Sequence, residues 1–422
     1  MNYRKSVAAV GVVGAAIALG ACGQSDSSST SATEETKALT IATTSNNKTA
    51  MEAVIEAYKK KTGLDINLTV ADTAQYQTTL RTQLSSGTAP DVFTVWAGSG
   101  NPGAINVLQK AGYLADLSDR SWVGDVEPGT AETLKVKDKT YGLPSKLDAV
   151  GTIYNVKTLE GLGLKAPTTY TEMLQYCKDV KAKGKVAFAL GIQTDWVAQL
   201  IPYALVASTV YAKAPDFNDQ LASDKATFAG SGWTEAFDKY LEMNEAGCFN
   251  DQPLGTDVTA SYNLVNTGTA VGVVQVLASF PQITSTAPAG TEFGFFPLPG
   301  DDDASKNPIP RGIGVSFAVN DGAKNKKNGL EFVDWLASAE GTKAWFDAAP
   351  GIPAVKGATV TANPVNQAAI DIIEAGNTAP FPDQSWPNAK VQAAHLKGVQ
   401  QMFSGQATGE QVLKSMDEAF GA

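Results

Sequence analysis

Between Ala38 and Trp96 the chain alternates three short apolar runs with two amphipathic ones, and this order restricts its fold more than any other feature. "A-L-T-I-A-T" (Ala38 to Thr43) reads as a strand. Met51, Val54, Ile55 and Tyr58 then recur at helical spacing, behind Ser45 or Asn46 as a candidate cap. Ile66, Leu68 and Val70 alternate as a second strand, Tyr76, Leu80 and Leu84 mark a second helix, and "D-V-F-T-V-W" (Asp91 to Trp96) closes the series. Strand, helix, strand, helix, strand predicts a parallel sheet with helices on its faces, an α/β fold.

Ligands of such sheets bind beyond the carboxyl ends of the strands. Two segments reach that edge. Thr44 to Asn47 is all hydroxyl and amide, which makes Ser45, Asn46 and Asn47 candidate binding residues, and Trp96 to Asn101 offers an indole beside Ser99. Trp96 has two readings, a residue closing the core or a flat surface for a ligand. A pyranose carries an apolar C–H face and a rim of hydroxyls, so an indole with neighbouring amides and carboxylates suits a neutral, hydroxyl-rich ligand. Phosphate and dinucleotide sites need a Gly-rich turn of the G-x-x-x-x-G-K-[ST] or strand-linked G-x-G-x-x-G type, which the sequence lacks, and no cofactor is expected.

At about 150 residues per domain, 422 residues suggest two large lobes. A net charge of −10 argues against a nucleic-acid partner, which needs a concentrated basic face. The amino terminus has the secretory layout: Arg4 and Lys5, an apolar run from Val7 to Leu19, then small residues. "L-G-A-C" (Leu19 to Cys22) resembles the lipobox of bacterial lipoproteins, in which the cysteine takes a lipid. Residues 1–21 are then a lipoprotein signal peptide, Cys22 the lipidation site, and 22–37, polar and without apolar period, a flexible tether. In an exported chain, Cys177 and Cys248 are candidates for a disulfide.

A second α/β unit follows a Leu-Pro break near Pro144: a helix at 169–183, a strand at 186–191, and "Q-T-D-W", where Gln193, Asp195 and Trp196 again sit just past a strand. With this second unit on the page, the order of "G-T-A-P-D-V-F-T-V-W", "A-G-Y-L-A-D-L-S", "Y-G-L-P", "I-Y-N", "L-E-F-V-D-W-L-A-S-A-E-G-T-K-A-W-F" and the C-terminal "F-S-G-Q-A-T-G-E-Q-V-L-K-S-M-D-E-A" resembles the family 1 extracellular solute-binding proteins of carbohydrate ABC importers, similar to maltose-binding protein.

The resemblance implies a two-lobe periplasmic-binding-protein-like fold of type II, each lobe a mixed sheet flanked by helices, with a hinge crossed three times near Asp148, Gly272 and Val319. Residues 38–148 plus 272–318 would form the N-terminal lobe and 149–271 plus 319–422 the C-terminal lobe. It implies sugar contacts at Trp96, Trp196 and Trp386, hydroxyl partners at Gln193 and Asp195, a cleft position for Asp383 in the Trp386 loop, and places for Lys146 and Asp148 at the first crossing; Asn47, Gln275 and Arg311 read either as cleft residues or as ordinary loop residues. Gln275 and Leu277 depart from a glycine and an aromatic common there, and Arg311-Gly312 from a Gly-Gly pair.

The implied protein is a non-enzymatic monomer on the extracytoplasmic face of a single-membrane (Gram-positive) bacterium. It is anchored by lipid and hands a neutral oligosaccharide to ABC permease transmembrane subunits. The alternative is a lipid-anchored glycoside hydrolase or other surface carbohydrate-active lipoprotein, which needs two carboxylates flanking a glycosidic bond. Trp335 and Trp345, on a periodic apolar helix, are expected in the core, and His395 in a packing or surface role. Asp301 to Asp303 read as a solvated loop, with a calcium site as the other possibility and no metal expected.

Overall fold

The computed structural model describes residues 38–358, 360 and 362–421; the signal peptide, Cys22 and the tether lie outside them. Among the described residues thirteen strands occur in chain order: β1 (Ala38–Thr44), β2 (Asp65–Ala71), β3 (Val92–Val95), β4 (Lys135–Val136), β5 (Lys139–Thr140), β6 (Leu143–Pro144), β7 (Leu147–Asn155), β8 (Val186–Ala189), β9 (Ala270–Val276), β10 (Phe293–Phe296), β11 (Ile309–Ile313), β12 (Ser316–Val319) and β13 (Thr378–Pro380). Apart from the β4–β5 hairpin they form two sheets. The first runs β2-β1-β3-β12-β6 and the second β13-β11-β7-β9-β8, with β10 also on β7.

The opening unit folds as its periodicity predicts. β1 pairs in parallel with both β2 and β3, while β12 runs antiparallel to β3 and β6, which makes the sheet mixed. Met51, Val54 and Tyr58 of the helix Lys48–Thr62 are buried, as are Tyr76, Leu80 and Leu84 of the helix Thr73–Ser86. All four residues of β3 are buried, because helices cover both faces of this sheet.

The expected lobe boundaries need correction. Gly272 is no crossing point: it lies inside β9, opposite Tyr154 on β7 and Phe188 on β8, so residues 272–276, with β10, belong to the second sheet. The helices Lys326–Leu336 and Ala339–Ala348, expected in the C-terminal lobe, pack on the first sheet's helix Lys48–Thr62. Tyr58 meets Phe332 and Trp335 at centroid distances of 5.2 and 5.0 Å, and Lys61 bonds Glu340 at 2.5 Å. The observed crossings are Ser145–Lys146, between β6 and β7, and Gly314–Val315, between β11 and β12. The third follows the stretch in which Val355 pairs with Val126, since the next helix, Pro364–Glu374, packs on β10. Apolar runs mark strands but do not say which neighbours they pair with, hence the misplacement.

Trp335 and Trp345 are buried, as expected. Asp301 accepts from Asp303 N at 2.9 Å, and the other two aspartates act as local caps. Asp302 accepts from Thr171 N (2.7 Å) and Oγ1 (2.9 Å) at the start of the helix Tyr170–Ala182, and Asp303 from Ser305 N (3.1 Å) and Oγ (2.6 Å).

Cys177, on the helix Tyr170–Ala182, is bonded to Cys248, 71 residues on, and both are fully buried beneath the second sheet. Closing a loop of this length stabilises by about 4 kcal/mol in the chain-entropy model. The Cys177→Ala/Cys248→Ala variant should therefore unfold at lower urea concentration, with a loss of about that size, in circular dichroism titrations. An unchanged midpoint would show that the bridge carries no stability.

Candidate functional site

The carboxyl ends of β1 and β3 face those of β8 and β9 across a cleft of about 1050 Å³, its open mouth included. On the first wall, Asn46 and Asn47 follow β1, and Asn47 donates to Thr44 Oγ1 at 3.0 Å. Trp96 follows β3 and is half-buried. Its backbone pairs with Gly103 and Ile105, and the Tyr76 ring stands against it edge-on at 6.0 Å. A β-carbon on Gly103 would lie 2.8 Å from Trp96 Cζ3, so this glycine lets the six-membered ring lie against the loop. The indole is thus held on one side and meets the cleft on the other. Asn101, in the same loop, is 3% exposed and uses its Oδ1 to accept from Gly103 N, at 2.9 Å.

The floor is the hinge. Lys146 and Asp148, each 3% exposed, line it beside Gly314 and Val315. Burial pushes the Lys146 ammonium below its usual pKa, and the Asp148 charge opposes this. Burial likewise pushes Asp148 up to about 6, against the pull of Lys146 and of the Ala149 and Ala278 N–H groups, which donate to its Oδ1 at 2.9 and 3.1 Å.

The second wall comes from the segment after β8 and from the C-terminal region. Asp195 accepts from Trp196 N at 2.7 Å in the 3-10 turn Asp195–Gln199 that presents the half-buried Trp196. Trp196, Gln199, Leu200 and Tyr203 all line the cleft, at the spacing of one helical face. Asp383 joins them through amides: Gln392 Nε2 donates to Asp383 Oδ2 (3.1 Å) and Gln199 Oε1 (3.0 Å), while Tyr203 Oη donates to Gln199 Oε1 (3.1 Å). Desolvation raises Asp383 to about 6.

Eight of the fourteen residues singled out in the sequence therefore line one cleft: Asn46, Asn47, Trp96, Lys146, Asp148, Asp195, Trp196 and Asp383. Six do not. Ser45 is turned to Asp72 (2.6 Å), Ser99 accepts from Asn106 at 3.1 Å, and Gln193 lies in a separate depression beside Lys397 and Gln400. Gln275 is fully buried in β9 and accepts from Val276 N at 3.0 Å. Arg311 reaches Glu127 at 3.4 Å. Trp386 is 1% exposed among Tyr203, Phe228, Trp233 and His395, because the turn Pro382–Ser385 points Asp383 to the cleft and the indole to the core. His395 is fully buried in this aromatic box, and burial lowers its pKa to about 3. Gln199, Tyr203 and Gln392 also line the cleft; they lie within helical segments, away from the strand ends that mark a ligand edge in the sequence.

A model of the bacterial extracellular solute-binding proteins matches residues 42–343. The multiple sugar-binding protein of Streptococcus mutans is 25% identical over 326 residues, 74% of each chain. Among solved structures, a protein studied for xylan utilisation by Caldanaerobius polysaccharolyticus superposes with a TM-score of 0.78 at 22% identity, covering 90% of this chain and 99% of the other. A sugar transporter from Bacillus licheniformis in complex with stachyose gives 0.73 at 19% identity, covering 90% and 98%. The chain belongs to the bacterial extracellular solute-binding proteins, two-lobe transport components and not enzymes, a different class from the glycoside hydrolase alternative.

Proposed function

We propose that this chain is the lipid-anchored substrate-binding protein of an ABC importer, which captures a neutral oligosaccharide in the interlobe cleft and delivers it to the membrane permease. The observation that carries the reading is a pair of half-buried indoles, Trp96 and Trp196, on opposite walls of one cleft among amides and carboxylates. Each indole offers a face for a sugar ring, and Asn46, Asn47, Lys146, Asp148, Asp195 and Asp383 serve the hydroxyl rim. The name of the Streptococcus mutans relative and the stachyose in the Bacillus licheniformis structure support the same ligand class.

Stacking on an aromatic contributes about 1–3 kcal/mol per ring, taking nucleobases as the scale. Two stacks thus supply about half of the ~8 kcal/mol that micromolar binding requires, and hydrogen bonds supply the rest. In this reading the lipid on Cys22 supplies the attachment; among the described residues no helix is long and apolar enough to cross a membrane. Mass spectrometry of the membrane-extracted chain tests the anchor; an unmodified Cys22 on an uncleaved chain would remove it.

Calorimetry against raffinose, stachyose, maltotriose and xylotriose, followed by product analysis, should show binding of at least one without cleavage. Released monosaccharide, or no binding across neutral oligosaccharides, would reject the reading. Trp96→Ala should raise Kd at least tenfold, about 1.4 kcal/mol, while the melting temperature moves by fewer than about 5 °C.

A binding role also explains why carboxylates stay in a desolvated cleft. Asp383 has its folded pKa raised to about 6, so its contribution to stability is greatest at acid pH and is lost as pH rises through that value. Asp383→Asn should therefore raise the melting temperature at pH 7, leave it nearly unchanged at pH 4, and weaken sugar binding at pH 7. Equal shifts at both pH values would show that Asp383 is not held against its ionisation.

A further inference from the structure

Among the contacts that join the lobes directly, two stand out. Arg311 sits on β11, paired into the second sheet opposite Ala149 and Pro380. Glu127 precedes the short helix Pro128–Ala131, in a segment tied to the first sheet's β3 loop by the bond from Gly98 N to Thr133 O (2.7 Å). The Arg311 Nη2 lies 3.4 Å from both Glu127 Oε1 and Oε2, with the side chains 17% and 33% exposed, so water screens this pair only in part.

The second contact is backbone on backbone. A β-carbon on Gly98 (φ +72°) would overlap the Gln384 carbonyl oxygen and lie 2.7 Å from its carbon. One on Gly100 would overlap the Asp383 carbonyl oxygen and lie 2.7 Å from Asp383 Cβ. Only glycine lets the first-lobe loop seat this closely on the second lobe. The two contacts are mechanically linked, because Gln384 Nε2 donates to Ile313 O at 2.6 Å, two residues from Arg311.

We propose that the Arg311–Glu127 ion pair and the seat of Gly98 and Gly100 on Gln384 and Asp383 form a closed-state latch, which sets the fraction of molecules whose cleft is shut. Ligand that needs the shut cleft binds with an apparent Kd equal to the intrinsic value divided by that fraction. A tenfold loss of the shut fraction therefore weakens every such ligand tenfold. Opening the hinge separates both contacts, while each sheet stays intact.

The test uses the full chain in detergent without sugar, followed by hydrogen–deuterium exchange and mass spectrometry at about 20 and 500 mM salt, where screening lengths differ severalfold. Peptides covering 96–104 and 381–386 should exchange about three- to fivefold faster in Glu127→Gln than in the wild type at low salt, and β1 and β9 at the wild-type rate. High salt should bring the wild type toward the variant. Glu127→Arg with Arg311→Glu should restore protection, which loss of a merely structural residue would not do. Gly100→Ala keeps the charges and should accelerate both loops alike at either salt.

Wild-type rates in both Glu127→Gln and Gly100→Ala overturn the proposal, as does acceleration of 96–104 without 381–386. Acceleration that extends to β1 and β9 also overturns it, since that is general destabilisation. Because no sugar is present, failure here leaves the proposed function standing, and failure of the sugar panel leaves the latch standing.

Discussion

Two of the three hinge crossings are bonded to each other, and the rest of the molecule is arranged around that ribbon. Ser145 N and Oγ both donate to Val315 O, at 3.0 and 2.8 Å, and Gly314 N donates to Lys146 O at 3.1 Å. Two adjacent antiparallel segments allow the lobes to bend while keeping their register, since the ladder restricts sliding along the strand direction. β7 begins immediately beyond this ribbon and then forms the centre of the second sheet, with β9 on one side and β11 and β10 on the other. Movement at the hinge is thereby transmitted to a rigid element instead of a loop.

The same ribbon explains where the buried charges lie. Lys146 is within a crossing and Asp148 is the second residue of β7, so the least exposed ionisable pair of the cleft lies at its hinge. Moving a carboxylate out of water is costly unless backbone donors or an opposite charge compensate, and Asp148 has both in part. Its pKa of about 6 shows that desolvation still outweighs them. A purely structural core replaces such a group with an apolar one at little loss or some gain. Retaining it is intelligible in a site that exchanges water for ligand hydroxyls.

Local period carried most of the information about the fold. The first three strands, their helices and the ligand edge after β3 follow from spacing alone, because the covered strands β1 and β3 are apolar runs, the edge strand β2 alternates, and each ends where polar loop chemistry begins. What spacing does not contain is partner choice. β9, "A-V-G-V-V-Q-V", is recognisable as a strand, yet its pairing with β7 and β8 is a long-range event that moved a whole segment from one lobe to the other. The helices Lys326–Leu336 and Ala339–Ala348 were misassigned for the same reason: an apolar face says that a helix is covered and leaves open by which sheet.

The tryptophans show where that limit falls within the site. Trp96 directly follows β3 at the ligand edge, so strand direction alone sends it toward the cleft, and Gly103 and Tyr76 then hold its ring. Trp196 lies within the 3-10 turn Asp195–Gln199, seven residues beyond β8, where Asp195 accepts from its backbone N–H. Trp386 comes directly after the 3-10 turn Pro382–Ser385, at a residue whose backbone is already extended (φ −71°, ψ 146°), so its indole does not follow the direction that the turn gives Asp383 three residues earlier. Resemblance supplied a position for Trp386 but not the direction of its indole. The difference is physical: strand-end residues inherit their direction from the sheet, whereas a residue beyond a short turn takes its direction from whichever partner buries it, here the aromatic box around His395.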